Sequence, residues 1–172
     1  KLLTLNQLEF GNEVITMERF DLTELIRGVI NSSAILLNQN EITLDFTQQE
    51  PLYAWADEFK VEEVVTNYLS NAIHHAEGEK RIDISCVQKG DKVRVSVFNT
   101  GNPIPEEDVD NIWIKFYKVD KARTREYGGS GIGLSIVRAI MDSFHQKCGV
   151  INHEDGVEFW FELETNNGNF FS

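Results

Sequence analysis

Two alternating apolar runs joined by a tight turn constrain this chain most. Ile82, Ile84 and Cys86, then Val93, Val95 and Val97, repeat at a period of two, and Lys89-Gly90-Asp91-Lys92 between them is a hairpin signal. Antiparallel pairing follows. Further strands are predicted at 17–21, 42–46, 52–56, 150–153 and 157–163, the last two forming a hairpin around Glu154-Asp155-Gly156. Helical periodicity fills the gaps. Asp21 caps a helix over 22–38, with Glu24 three residues on and Leu22, Leu25, Ile26, Val29, Ile30 and Ile35 as its apolar face. Asp57 opens a second, carrying Val61, Val64, Val65, Tyr68, Leu69, Ala72 and Ile73 as far as Glu77-Gly78-Glu79. A third runs from the glycines near 130 to about residue 146, and a short acidic helix is expected over 106–113. The class is α+β, a two-layer sandwich whose mixed, mainly antiparallel sheet is covered on one face by three helices.

With 172 residues, 41% of them hydrophobic, the chain can bury a core without covalent staples. Leu2, Leu5, Leu8 and Phe10 at helical spacing, stopped by Gly11-Asn12, read as the end of a helix that starts before Lys1. Residues 12–165 then form one domain and 166–172 a polar, frayed tail. Cys86 and Cys148 have neither CxxC spacing nor nearby histidines at zinc-ligand intervals, and read as buried, unpaired thiols of a reducing, cytoplasmic setting. The net charge of −12 argues against nucleic acid and anionic lipid as general partners. No run of about eighteen apolar residues and no signal peptide appears.

Three features carry chemistry. Glu63, Asn67, Asn71 and His75 share a face of the second helix. A carboxamide there can ligate magnesium, which takes only one or two protein oxygens and keeps water and phosphate ligands; it can equally cap a buried backbone group, and the helix alone leaves both open. Four glycines within Gly128-Gly129-Ser130-Gly131-Ile132-Gly133, just before Leu134 and an apolar helix, suit phosphate, because glycine permits close backbone approach and a helix start presents unpaired amides. The third is the strand exit Asn99-Thr100-Gly101-Asn102-Pro103-Ile104. There is no Gly-Lys-Ser or Gly-Lys-Thr P-loop, no strand just ahead of the glycines as a dinucleotide fold requires, and no protein-kinase motif set.

In this order the features resemble the Bergerat-type ATP-binding fold shared by sensor histidine kinases, type II topoisomerases, mismatch-repair ATPases and heat-shock chaperones. The histidine kinases of bacterial two-component systems are nearest, over about residues 2–163. The resemblance implies that Asn71, in an N box from Glu63 to Ala72, holds Mg2+ with Asn67 in support, and that His74 and His75 adjoin the same site. Asn99, Gly101 and Ile104 occupy the G1 box at the adenine. Phe116, Tyr117 and Lys118 fall in the lid with its F box, and Gly129, Ser130, Gly131, Ile132, Gly133 and Leu134 in or beside the G2 box under the phosphates. Leu3 to Gly11 is similar to the end of the second helix of a dimerisation and histidine-phosphotransfer domain. The implied activity is protein-histidine kinase, with ATP and Mg2+ as cofactors. The implied partners are that domain of the same protein and a response regulator, and the parent is a membrane-anchored homodimer.

The chain departs from the family pattern in several places. Where the hydrolase branches carry a glutamate one turn before the metal asparagine, Asn67 is neutral and cannot take a proton, which favours transfer over hydrolysis. The adenine-reading aspartate is Asn99, weakening that contact by about 1 kcal/mol. Pro103 replaces the second G1 glycine, His74 stands where a lysine is usual, and Gly156-Val157-Glu158-Phe159 lacks the usual threonine. Adjacent His74 and His75 diverge by about 100° and do not make a zinc site. None of the four histidines has phosphoacceptor context, so the nucleophile is expected upstream of Lys1. A regulatory module that binds nucleotide without efficient transfer, and a serine kinase of the same fold, are the alternatives. The loop from Lys115 to Tyr127 is expected to move without ligand.

Overall fold

The hairpin that the alternation predicts is the spine of the sheet. In the computed structural model, which describes residues 14–115, 117 and 133–166, β4 is Arg81–Lys89 and β5 is Lys92–Thr100. They pair antiparallel from Ile82 opposite Asn99 to Lys89 opposite Lys92. Gly90 takes φ 60° at the first turn position, where the mirror-image hairpin turns require a positive value. The other strands are β1 (Glu18–Asp21), β2 (Thr43–Phe46), β3 (Tyr53–Ala56), β6 (Cys148–His153) and β7 (Gly156–Glu164). Their order is β1-β3-β7-β5-β4-β2, with β6 also on β7. Only β2 and β4 are parallel among the described pairs, which gives the mixed, mainly antiparallel sheet.

Alternation decides which face is covered. Val93, Val95 and Val97 on β5 and Val157, Phe159, Phe161 and Leu163 on β7 are buried, while the residues between them are half-buried. Each such side chain contributes about 1.5–3 kcal/mol when fully buried. Helices α1 (Leu22–Ser32), α3 (Glu58–His75) and α4 (Gly133–Ser143) form the second layer, with α3 packed between α1 and α4 and against β5. Tyr68 pins α3 to the sheet: its ring lies between those of Phe159 and Phe161, and its hydroxyl donates to Trp160 O at 3.0 Å. On the open face, Arg94 lies 3.7 Å over the Trp160 ring and donates twice to Glu162.

Local chemistry explains where the elements depart from expectation. The helix expected over 22–38 divides at Ser33, whose N–H is shared between Val29 O and Ile30 O, and resumes as α2 (Ala34–Gln39). Asn31, Ser32 and Ser33 are poor helix formers. Ile35, expected on the apolar face, is 71% exposed and Leu37 is buried instead. Nine steps of about 100° put Ile35 opposite Ile26, whereas eleven return Leu37 to its side. The helix expected over 106–113 is a single 3-10 turn (Glu106–Asp108) followed by further three-residue turns, consistent with weak helix formers at 108–113. α4 stops at Ser143 rather than 146, because His145 adopts φ 58° and the N–H groups of His145 and Gln146 close back on Asp142 O and Met141 O.

Cys86 and Cys148 are free, as expected, but half-buried rather than buried. Burial fades along β4 from Ile82 through Ile84 to Cys86 as the strand approaches its hairpin turn. What covers the Cys86 thiol still pushes its pKa up to about 11. The predicted helix over 1–10, most of the loop 115–127 and the tail from 167 lie outside the described residues.

Candidate nucleotide site

α3 is the axis of the site, and Asp57 starts it by accepting from the N–H groups of Phe59 and Lys60. The same carboxylate accepts from Thr16 N at 2.9 Å, tying the incoming chain to the helix start. Val64, Val65, Tyr68, Leu69, Ala72 and Ile73 face the core. Glu63, Asn67, Asn71 and His75 are all half-buried, so the stripe runs where the packed side of the helix meets solvent, less deep than the sequence suggests.

The two asparagines are not equivalent. Asn67 Nδ2 donates to Glu63 O at 2.9 Å, one turn back. Its Oδ1 faces the first residue of α4, where a Cβ on Gly133 would come within 3.0 Å of it. Asn67 therefore joins the backbone-capping role that the helix left open with a place beside the glycine-led helix. No hydrogen bond to another described residue holds the Asn71 carboxamide, and its oxygen is available to a ligand. His74 is exposed and lies about 20° around the helix from Asn67 after seven residues, so it stands on the same side. Leu134, next along α4, packs partly buried against the core.

At its other end α3 meets the exit of β5. Glu77 N donates to Thr100 O at 2.9 Å, and Thr100 Oγ1 accepts from Arg81 N at 3.0 Å. Gly101 has φ 146°, and a Cβ there would stand 3.0 Å from His75 O, so the turn needs glycine twice over. Asn99 is buried at 2% exposure, with Nδ2 donating to Thr100 O at 3.1 Å, which leaves Oδ1 as its uncommitted acceptor. Gly101 N donates to Asp155 O at 3.0 Å in the β6–β7 turn. Gly156, noted in the sequence as part of the last hairpin turn and of a weak last motif, is fixed by crowding: a Cβ there would fall 2.1 Å from Asn99 O.

Asn152 is a residue that sequence reasoning missed. Its Oδ1 accepts from Ile104 N at 2.9 Å and its Nδ2 donates to Ile104 O at 2.8 Å. A signal was present. Asn152 continues the core-facing row of Cys148 and Val150, where a polar side chain is out of pattern. Asp108, also missed, is nearly buried and accepts from the Tyr117 hydroxyl, and that bond is the main reason the Tyr117 pKa is raised. Phe116, Lys118, Gly129, Ser130, Gly131 and Ile132 lie outside the described residues.

Comparison with known proteins follows the same lines. Residues 56–167 match the family model described as histidine kinase-, DNA gyrase B-, and HSP90-like ATPase. Sensor protein kinase WalK of Staphylococcus epidermidis is 32% identical over 144 residues, 83% of this chain and 23% of that protein. Sensor histidine kinase YkoH of Bacillus subtilis is 35% identical over 142 residues, 83% of this chain and 30% of that protein. The chain thus spans less than a third of the length of these two relatives. The catalytic domain of histidine kinase ThkA superposes with a TM-score of 0.78 at 35% identity, covering 88% of this chain and 97% of that one. ThkA in complex with response regulator protein TrrA gives a TM-score of 0.75 at 32% identity, covering 94% of this chain and 46% of that one.

Proposed function

This chain belongs to the catalytic ATP-binding domains of histidine kinases, and from that premise we propose that it holds Mg-ATP and donates the γ-phosphoryl group to a histidine on a dimerisation domain of the same protein. The observation that carries the proposal is the arrangement along α3. Asn67 meets the start of α4 at one station, and the His75 backbone meets the Asn99-Gly101 turn eight residues on, about 12 Å at the usual rise per residue. That separation suits a nucleotide with its base at Gly101 and its phosphates at Gly133. Asn71 lies between the two stations with its carboxamide oxygen uncommitted.

The donor set fits magnesium. A neutral carbonyl oxygen on a half-buried helix face is a hard ligand that leaves the remaining positions to phosphate and water. Asn71 would hold the ion, and the ion would supply charge neutralisation across the phosphates. Asn67, neutral and bonded to Glu63 O, offers no base to activate water, which favours delivery to a separate nucleophile over hydrolysis. Asn99 Oδ1 would accept from the adenine amine.

The dimerisation domain, a response regulator as partner, a membrane-anchored dimeric parent with this domain in the cytoplasm, and the division into 1–11, 12–165 and 166–172 belong to the same proposal. The ThkA complex with TrrA supports the response regulator. No helix among the described residues is long and apolar enough to cross a membrane. The neutral Asn99 favours one alternative, a module that binds nucleotide without efficient transfer. Titration calorimetry with magnesium and ATP, followed by labelled-ATP transfer to a supplied dimerisation domain, tests both. Saturable heat with label on the supplied domain alone is expected. Heat without label selects the regulatory module, and the absence of saturable heat removes both.

A further inference from the structure

We infer that Asn152 is a positioning residue for nucleotide recognition, setting the adenine-side wall through the backbone of Ile104; this rests on the reading of that wall as the base site. The segment Pro103-Ile104-Pro105 has a single backbone donor, because neither proline carries an N–H. β5 ends at Thr100, so no strand ladder reaches Ile104. Asn152 replaces the missing ladder by presenting an acceptor to Ile104 N and a donor to Ile104 O, at 2.9 and 2.8 Å. A carboxamide can serve both ends of one residue in this way; a hydroxyl is too short and a carboxylate has no donor.

The placement is as specific as the bonds. Ile82, Asn99, Val157 and Asn152 form one row across β4, β5, β7 and β6. The two asparagines therefore flank Val157 on the helix-facing surface, about 10 Å apart at the usual strand spacing. One offers an acceptor to the site, and the other has both polar groups committed to the loop. A second tie, Gly101 N to Asp155 O at 3.0 Å, comes from the turn that follows β6. The β6–β7 hairpin thus holds the loop at Gly101 and at Ile104. Ile104 itself packs partly buried against the core, so a shift of its backbone would move the wall it forms.

The experiment compares wild type, Asn152→Ala and Asn152→Asp by ATP titration, transfer kinetics with a supplied dimerisation domain, and amide exchange at Ile104. Asn152→Ala is expected to weaken ATP binding about tenfold, as loss of two neutral hydrogen bonds to one backbone residue implies. It should raise KM for ATP with kcat unchanged, and deprotect the Ile104 amide. Asn152→Asp keeps an acceptor for Ile104 N but sets a carboxylate against Ile104 O, so it should protect the amide and still bind ATP more weakly than wild type. Wild-type affinity in Asn152→Ala with a deprotected Ile104 amide would reduce the clamp to a structural tie and overturn the inference, as would an amide as protected as in wild type. A wild type that binds no nucleotide would instead overturn the functional proposal. Circular dichroism separates either result from misfolding.

Discussion

The two ends of α3 that the proposed nucleotide site joins are built on opposite principles. At the end proposed for adenine, Asn99, Thr100, Gly101 and Ile104 are knitted to β4, to the chain leaving α3 and to the β6–β7 hairpin by hydrogen bonds, and a methyl on Gly156 would collide with Asn99 O. At the end proposed for the phosphates, one asparagine is tied to its own helix and the other to no described residue. The difference is one of preorganisation. A base is flat and neutral, and its recognition depends on fixed acceptors, whereas a metal-bound triphosphate brings its own charge and can order flexible oxygens around itself. Damage at the first end should therefore cost stability and binding together, and damage at the second should cost binding alone.

Gly156→Ala is the strongest test of the knitted end. The added methyl must displace Asn99 O and the Phe98 ring, and overpacking of this kind costs about 3 kcal/mol. A melting temperature lower by roughly 10 °C is expected for a domain of this size, together with loss of ATP binding. Calorimetric scanning with and without nucleotide measures both. An unchanged melting temperature would show that β5 and β7 have slack that the register denies.

Asn71→Ala tests the open end. About a hundredfold loss of magnesium-dependent ATP affinity is expected, near 2.7 kcal/mol, with a melting temperature within 1–2 °C of wild type because the lost group bonds no described neighbour. Titrations with magnesium and with excess chelator should give the same weak affinity in the variant. A variant that still binds more tightly with magnesium would place the ion elsewhere. If its stability fell as far as that of Gly156→Ala, the contrast between the two ends would fail.

The sequence reveals these ends unequally. Strand alternation reports side-chain direction, so Asn99 at the exit of β5 could be found from Val93, Val95 and Val97 before it. Helix spacing likewise found Asn67 and Asn71. It did not show that only Asn67 turns back to Glu63 O, since a rotamer choice leaves no mark on residue spacing. Asn152 escaped because its partner lies 48 residues earlier in the chain and only the register of β6 on β7 brings the two together. The stringency at Gly156 escaped for a similar reason: its neighbour is a backbone oxygen on another strand. Ile35 was misplaced by arithmetic alone, and counting turns from Ile26 would have corrected it.

The smallest expected effect comes from Asn99→Asp, and it tests how far the knitted end is tuned to a neutral acceptor. The change removes the donor that now reaches Thr100 O and turns a carboxylate toward that carbonyl at a buried position. The free domain should lose about 1–2 kcal/mol, the usual cost of leaving buried polar groups unmatched. On the proposed reading, bound nucleotide would offer the carboxylate a partner in the adenine amine, and a charged acceptor makes roughly twice as strong a bond as a neutral one. ATP affinity should therefore rise about tenfold, and the stabilisation by saturating ATP should exceed that of wild type. Competition with GTP decides the cause. If tighter binding extends equally to GTP, the gain lies outside the base contact; if it is confined to adenine nucleotides, Asn99 is the residue that reads the amine.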